Sequence, residues 1–242
     1  VLDFPLKDRL AKVFGHDKAG NEKLADALYL IDGPYQNPYE LMTFYDNHDM
    51  PRLDADDYGF INAHNWLFTA RGIPVIYYGS ETGFMRGKAE HQGNRNYYGQ
   101  GRIDAGASSP IFSNLKRIAQ LRRETPALQR GLQLNLLLDG KRAAFYRVYQ
   151  HGETAQTALV LLNKGSKPAK FSFSEKQLQA GGWKSAISGN TYSIDSVKPS
   201  FKTEVPANGV EVLLFEGTLS SPALLTELNR LQAGKVRRTS GG

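Results

Sequence analysis

The chain has no cysteine in its 242 residues. Disulfides, thiolate metal sites and cysteine nucleophiles are therefore excluded. No apolar run approaches the ~20 residues that a membrane-spanning helix requires. Histidine is scarce, and His16, His48, His64, His91 and His151 show no His-Glu-x-x-His or comparable metal spacing, so each reads as a core or surface residue. The glycine-rich stretch "SETGFMRGKAEHQGNRNYYGQG" lacks Gly-Lys-Ser/Thr and is not a phosphate loop. The first residues, "VLDFPLKDRL", carry neither an initiator Met nor a signal-peptide pattern, as expected of a piece of something longer.

What is present is the composition of a globular protein, with 40% hydrophobic and 22% charged residues. The length suits one large domain or two ordinary ones. The net charge of +6 is unevenly placed. Arg230, Lys235, Arg237 and Arg238 face only Glu227 in the last 25 residues, so half of the excess lies there. A basic tail can hold nucleic acid or anionic lipid. This one is short and lacks aromatics for base stacking, so it reads as a solvated terminus, with neither nucleic acid nor membrane as a partner.

Three strand-to-helix units come first. "VLDF" precedes Leu6, Leu10, Val13 and Phe14 at helical spacing. "ELMTFYD" precedes a helix predicted from Asp56–Asp57, with Phe60, Ala63, His64 and Leu67 on one face and Gly72 ending it. "IPVIYYG" is apolar without interruption from Ile73 to Tyr78, which predicts a strand covered on both faces, as in a parallel sheet. After the glycine-rich loop, Ser109-Pro110 starts a helix that Thr125-Pro126 stops. From about residue 132, "AAFYRVYQ", "ALVLLN", "AKFSF", "TYSID" and "VEVLLFEG" predict an antiparallel sandwich or meander. A last helix, Pro222 to Gln232, follows. The expected fold is α/β plus all-β, with domains at 1–126 and 127–217 and a helix with a basic tail at 218–242. Three parallel units suit a section of an α/β barrel, and three strands cannot close one. The first 126 residues are thus expected to order only beside a missing barrel half, and the β-rich part to fold by itself.

The chemistry-bearing stretch is "MTFYDNHDMPR", residues 42 to 52, where an apolar strand ends in Asp46, Asn47, His48 and Asp49. In α/β barrels active-site residues come from the C-terminal ends of strands. Asp3 and Glu81 also sit in or just past the other two apolar runs. Asn and Asp form turns and caps routinely, so on pattern alone a turn and a catalytic role both fit Asn47 to Asp49. Tyr97, Tyr98, Trp66 and Trp183 could stack on a ligand ring, but packing roles are favoured for all four.

"FYDNHDMPR" resembles the fourth conserved region of the α-amylase superfamily of glycoside hydrolases, at the end of the seventh barrel strand. "ARGIPVIYYGSE" is similar to its eighth strand and "VLDFPLKDRLAKVF" to its sixth. "GNRNYYG" resembles the Asn-Arg element of cyclodextrin glycosyltransferases and cyclomaltodextrinases, and the all-β remainder fits domain C. The resemblance covers roughly residues 1 to 217. It implies the C-terminal portion of a TIM (β/α)8 barrel followed by an antiparallel β-sandwich. It also implies a retaining mechanism on α-glucosidic bonds, with starch, maltodextrin or cyclodextrin as substrate. Asp49 matches the third carboxylate, which stabilises the oxocarbenium-like transition state. His48 matches a histidine that hydrogen-bonds the same sugar, and Arg95 an arginine lining the donor side. His91 stands where cyclodextrin-forming enzymes carry Asp.

The nucleophile Asp and acid/base Glu of the family lie upstream of the matched region, and Gly152-Glu153 is no substitute. The chain is therefore expected to need the missing N-terminal barrel half and to be inactive alone. No cofactor or metal is expected in this chain, any calcium belonging to the upstream part, and the resemblance implies a secreted or periplasmic location. A non-catalytic carbohydrate-binding or scaffold module is the alternative.

Overall fold

The computed structural model describes residues 1–239, and the side chains of residues 1–234. The basic cluster at Lys235, Arg237 and Arg238 lies outside the described side chains.

Three parallel strand ends lie side by side. Leu2 bridges to Met42, and β1 (Met42–Thr43) pairs in parallel with β2 (Ile73–Pro74). Regular pairing is limited to these few residues, although the apolar runs are longer. Between them stand α1 (Phe4–Phe14) and α2 (Asp57–Thr69). Asp3 caps α1 by accepting from the Leu6 amide, and Asp56 caps α2 by accepting from Gly59. The second helix ends at Ala70, two residues before the predicted Gly72. That glycine instead takes φ +96° where a Cβ would run into Thr43, and so lets the chain turn into β2 against β1.

A short helix, α3 (Gln100–Gly106), follows the glycine-rich loop. Ser109 accepts from the Phe112 amide to cap α4 (Pro110–Glu124), and α5 (Pro126–Arg130) leads into the β-rich part. Its strands are β3 (Leu132–Asp139), β4 (Arg142–His151), β5 (Thr154–Asn163), β6 (Ala169–Phe173), β7 (Gly181–Ser185), β8 (Thr191–Ile194), β9 (Phe201–Val205) and β10 (Gly209–Glu216). Six of them form one antiparallel sheet in the order β3-β4-β5-β10-β7-β8, and β6 and β9 pair separately. The final helix, α6 (Pro222–Thr239), runs beyond the predicted Gln232. No described helix is long and apolar enough to cross a membrane.

The six-stranded sheet is buried on both faces. Ala143, Phe145, Ala158, Val160 and Val212 join a core with Leu10, Phe60, Trp66 and Leu121 of the helices. Their neighbours Ala144, Tyr146, Leu159, Leu161 and Leu213 point the other way. There they meet Phe171, Phe173 and Phe201 of the small sheet, Trp183 of β7, and Leu224 and Leu228 of α6. The expected self-sufficiency of the β-rich part meets a contrary feature here, because one face of its main sheet is covered by the helices of residues 1–126. Uninterrupted apolarity marks this two-sided coverage in β5, an antiparallel strand. In "IPVIYYG" it does not: Ile73 is 49% exposed and Val75 and Ile76 are only half-buried.

Buried arginines tie the regions together. Arg71 pairs with Asp3 at 2.6 Å with both side chains fully buried, and donates to the Ala27, Leu28 and Pro38 carbonyls. Arg122 donates to the Phe68, Ala70 and Gly72 carbonyls, and Arg147 to Thr69 and Gly131. Two guanidiniums thus satisfy the carbonyl end of α2, where the helix dipole is negative. Neither has a carboxylate partner, and burial pulls Arg122 down to about 10 and Arg147 to about 9.

Candidate active site

The turn after β1 is built by its own side chains. The Asn47 Oδ1 accepts from the Asp49 amide at 2.8 Å, the local Asx turn that this residue type forms readily. His48 and Asp49 are thereby carried past the C-terminal end of the strand, where the imidazole Nε2 lies 3.0 Å from the Asp49 carboxylate. Arg95, 46 residues later in sequence, closes the group. Its Nη2 donates to Asp49 Oδ1 at 2.7 Å and its Nε to the His48 carbonyl at 3.1 Å. The three site residues expected from the sequence are therefore in mutual contact.

All three side chains are more than half exposed, so their ion pairs contribute little to stability. The backbone around them is held by other groups. Asn94 donates through Nδ2 to the His48 carbonyl at 2.6 Å, and accepts from the His91 amide. Tyr77 donates its hydroxyl to the Asn94 carbonyl, and Tyr78 to that of Asn96. His91 takes φ +64°, is exposed, and lies 3.2 Å from the Glu90 carboxylate.

Behind the turn the polar groups are buried and have different roles. Asp46 accepts from the Ser80 hydroxyl at 2.7 Å and from the Leu53 amide at 3.1 Å, and burial pushes its carboxyl up. Tyr45 and His64 share a 2.7 Å contact, and burial pulls the imidazole down to about 3. Asp3 caps α1 and neutralises Arg71, which makes it structural. Glu81 lies in the turn Ser80–Thr82 and touches neither His48 nor Asp49. Trp66 and Trp183 are core residues, Tyr98 packs on Phe84 and Tyr78, and Tyr97 is 85% exposed. Among the described residues no cluster of three or more His, Asp or Glu side chains could hold a metal.

Sequence reasoning missed Asn94 and Arg52, although both lie inside stretches it had singled out, "GNRN" and "DMPR". Side chains whose partners are mainly backbone groups of distant residues leave no charge pairing or spacing to read.

A carboxylate, an imidazole and a guanidinium on one strand end can bind neighbouring hydroxyls of a sugar. Among the described residues Asp49 is the one carboxylate in ion-pair contact with His48 and Arg95.

No family model matches the chain. It is 29% identical to an α-amylase of Streptomyces lividans over 262 residues, covering 92% of this chain and 28% of that protein. It is 30% identical to a β/α-amylase of Paenibacillus polymyxa over 174 residues, covering 67% and 14%. A solved cyclomaltodextrin glucanotransferase with a three-domain arrangement superposes with a TM-score of 0.71 at 29% identity, covering 90% of this chain and 45% of the other. The chain belongs to the α-amylase superfamily. Its architecture is that of the C-terminal portion of the superfamily barrel followed by the antiparallel β domain. It spans less than a third of the length of these amylase relatives and under half of the solved enzyme.

Proposed function

We propose that the chain is the C-terminal section of a retaining α-glucan-active hydrolase or transglycosylase, with Asp49 as its transition-state-stabilising carboxylate. The observation that carries this reading is the contact of His48, Asp49 and Arg95 at the C-terminal end of a parallel barrel strand. Catalysis requires a nucleophile and an acid/base about 5–5.5 Å apart. In the whole protein these come from the upstream barrel half, as does any calcium. The substrate is an α-1,4-glucan, and the protein acts outside the cytoplasm.

In the catalytic cycle the chain's own residues bind and orient. Asp49 accepts hydroxyl hydrogens of the sugar at the cleavage position, and its negative charge opposes the positive charge that grows on the ring carbon. His48 donates a hydrogen bond to the same sugar. Arg95 fixes the Asp49 carboxylate and extends the polar surface toward the donor side.

The test is Asp49→Asn in the full-length enzyme. We expect kcat to fall at least about a hundredfold with KM nearly unchanged, because the lost interaction strengthens only in the transition state. A kcat within a few-fold of wild type would reduce Asp49 to a turn residue. Residues 1–242 alone should release no reducing sugar from starch, and release by a purified sample would overturn the missing-half reading.

A further inference from the structure

Arg52 is a buried cation, 2% exposed, with no carboxylate in ion-pair contact. Burying a guanidinium is costly unless its donors and charge are met. Here they are met in part, by two separate stretches of chain, and Nη2 is buried without a hydrogen-bond partner among the described residues. Its Nε donates to the Gly93 carbonyl at 2.9 Å, and its Nη1 to the Tyr78 carbonyl at 2.8 Å and the Ser80 hydroxyl at 3.3 Å. That hydroxyl in turn donates to buried Asp46, so a serine links cation and anion. The guanidinium also lies over the rings of Tyr77 and Tyr78, at 4.6 and 4.9 Å from their centroids.

Gly93 is the residue before Asn94 and Arg95, and the segment leading to it is rich in glycine: Gly79, Gly83, Gly87 and Gly93. Such a segment is floppy unless pinned. Tyr77 and Tyr78, whose rings stack on Arg52, hold the Asn94 and Asn96 carbonyls through their hydroxyls. Near Arg95 the carbonyls of Gly93, Asn94 and Asn96 are thus held by Arg52 or a ring resting on it, while the earlier part of the loop is also held by the Gly87 amide on the Leu53 carbonyl, the Arg52 amide on the Lys88 carbonyl and Arg86 against Asp57.

We propose that Arg52 is a positioning residue that holds the loop carrying Arg95 against Asp49, so that sugar recognition depends on a cation that never touches sugar. The proposal rests on the reading of Asp49 and Arg95 given above. Lysine cannot replace it: an ammonium lacks the planar fork that reaches two carbonyls while lying flat on an aromatic ring.

The experiment uses the full-length enzyme and compares Arg52→Lys, Arg95→Ala and the double variant, with Asp49→Asn as reference. We expect Arg52→Lys to lower kcat/KM roughly ten- to hundredfold, the scale of an ångström-sized misplacement. The double variant should be no worse than Arg95→Ala alone, because one residue acts through the other. Ser80→Ala, which only removes the linking hydroxyl, should shift kcat/KM in the same direction by less, and serves if Arg52→Lys does not fold. Fully multiplicative losses, or wild-type kcat/KM in Arg52→Lys (in Ser80→Ala, where Arg52→Lys does not fold), overturn the proposal. If Asp49→Asn abolishes turnover while Arg52→Lys is neutral, this inference alone fails. If Asp49→Asn is neutral, the reading of the site fails first.

Discussion

The parallel segment and the six-stranded sheet are built from equally apolar strands, yet they differ in how those strands are satisfied. In β5 every residue from Gln156 to Asn163 is buried, and both neighbours pair with it along most of its length. In β1 and β2 only two residues each are paired, and Met42 and Ile73 stay substantially exposed. The antiparallel sheet closes three of its five ladders through short turns, and β10 returns from farther along the chain to pair with β5 and β7. The parallel strands have long crossovers and show an uncovered face, as strands of a barrel do when only part of the circle is present. The helices reconcile the two: their inner faces cover the sheet as well as the strand ends. Coverage by helices is thus common to both regions, and completeness of strand pairing is what separates them.

That comparison can be tested at the residue where the regions meet. Trp66 of α2 is fully buried and packs edge-on against Phe145 of β4, with ring centroids 5.5 Å apart. Trp66→Ala should cost ~3–5 kcal/mol and lower a single cooperative transition seen in both near- and far-ultraviolet dichroism. Two transitions, with the β-rich one unmoved, would show that the regions are energetically separate.

Within the parallel segment, Asp3→Asn should cost about 3 kcal/mol in urea unfolding. It leaves the Arg71 guanidinium buried without its counter-ion, although three carbonyls still accept from it. A loss below ~0.5 kcal/mol would mean that the pair is not needed to join the first strand end to the third.

A pH series sharpens the picture of the helix core. Folded His64 titrates near 3, below the ordinary 6.5, because burial disfavours its cation. The unfolded state therefore binds the extra proton between these values. Stability from the neutral imidazole is complete above about 6.5 and drains away as pH falls toward 3, by up to ~1.4 kcal/mol per pH unit. His64→Gln should flatten the acid limb of the unfolding curve over that window, and an unchanged slope would contradict the assignment.

The smallest effect is expected on α6. Glu227 and Arg230 form an exposed pair one turn apart, so Glu227→Ala should change stability by less than ~0.5 kcal/mol. A larger loss would show that this helix contributes more to the second core than its leucines account for.

Much of this protein follows from its sequence taken alone. Asp56 and Ser109 start helices because their side chains can accept from the first free amides. The alternation of β4 assigns its residues to opposite faces because strand side chains repeat every two residues. The Asn-His-Asp stretch, by its resemblance, brought His48 and Asp49 forward, and "GNRNYYG" brought Arg95. Other features depend on contacts between stretches far apart in the chain, which local pattern does not encode. The tertiary structure alone decided that Asp3 answers Arg71 rather than substrate, that α2 ends on Arg122 and Arg147, and that one sheet face belongs to the barrel helices. It also brought Gly93 to Arg52, because the value of a guanidinium depends on which carbonyls and rings the fold delivers around it.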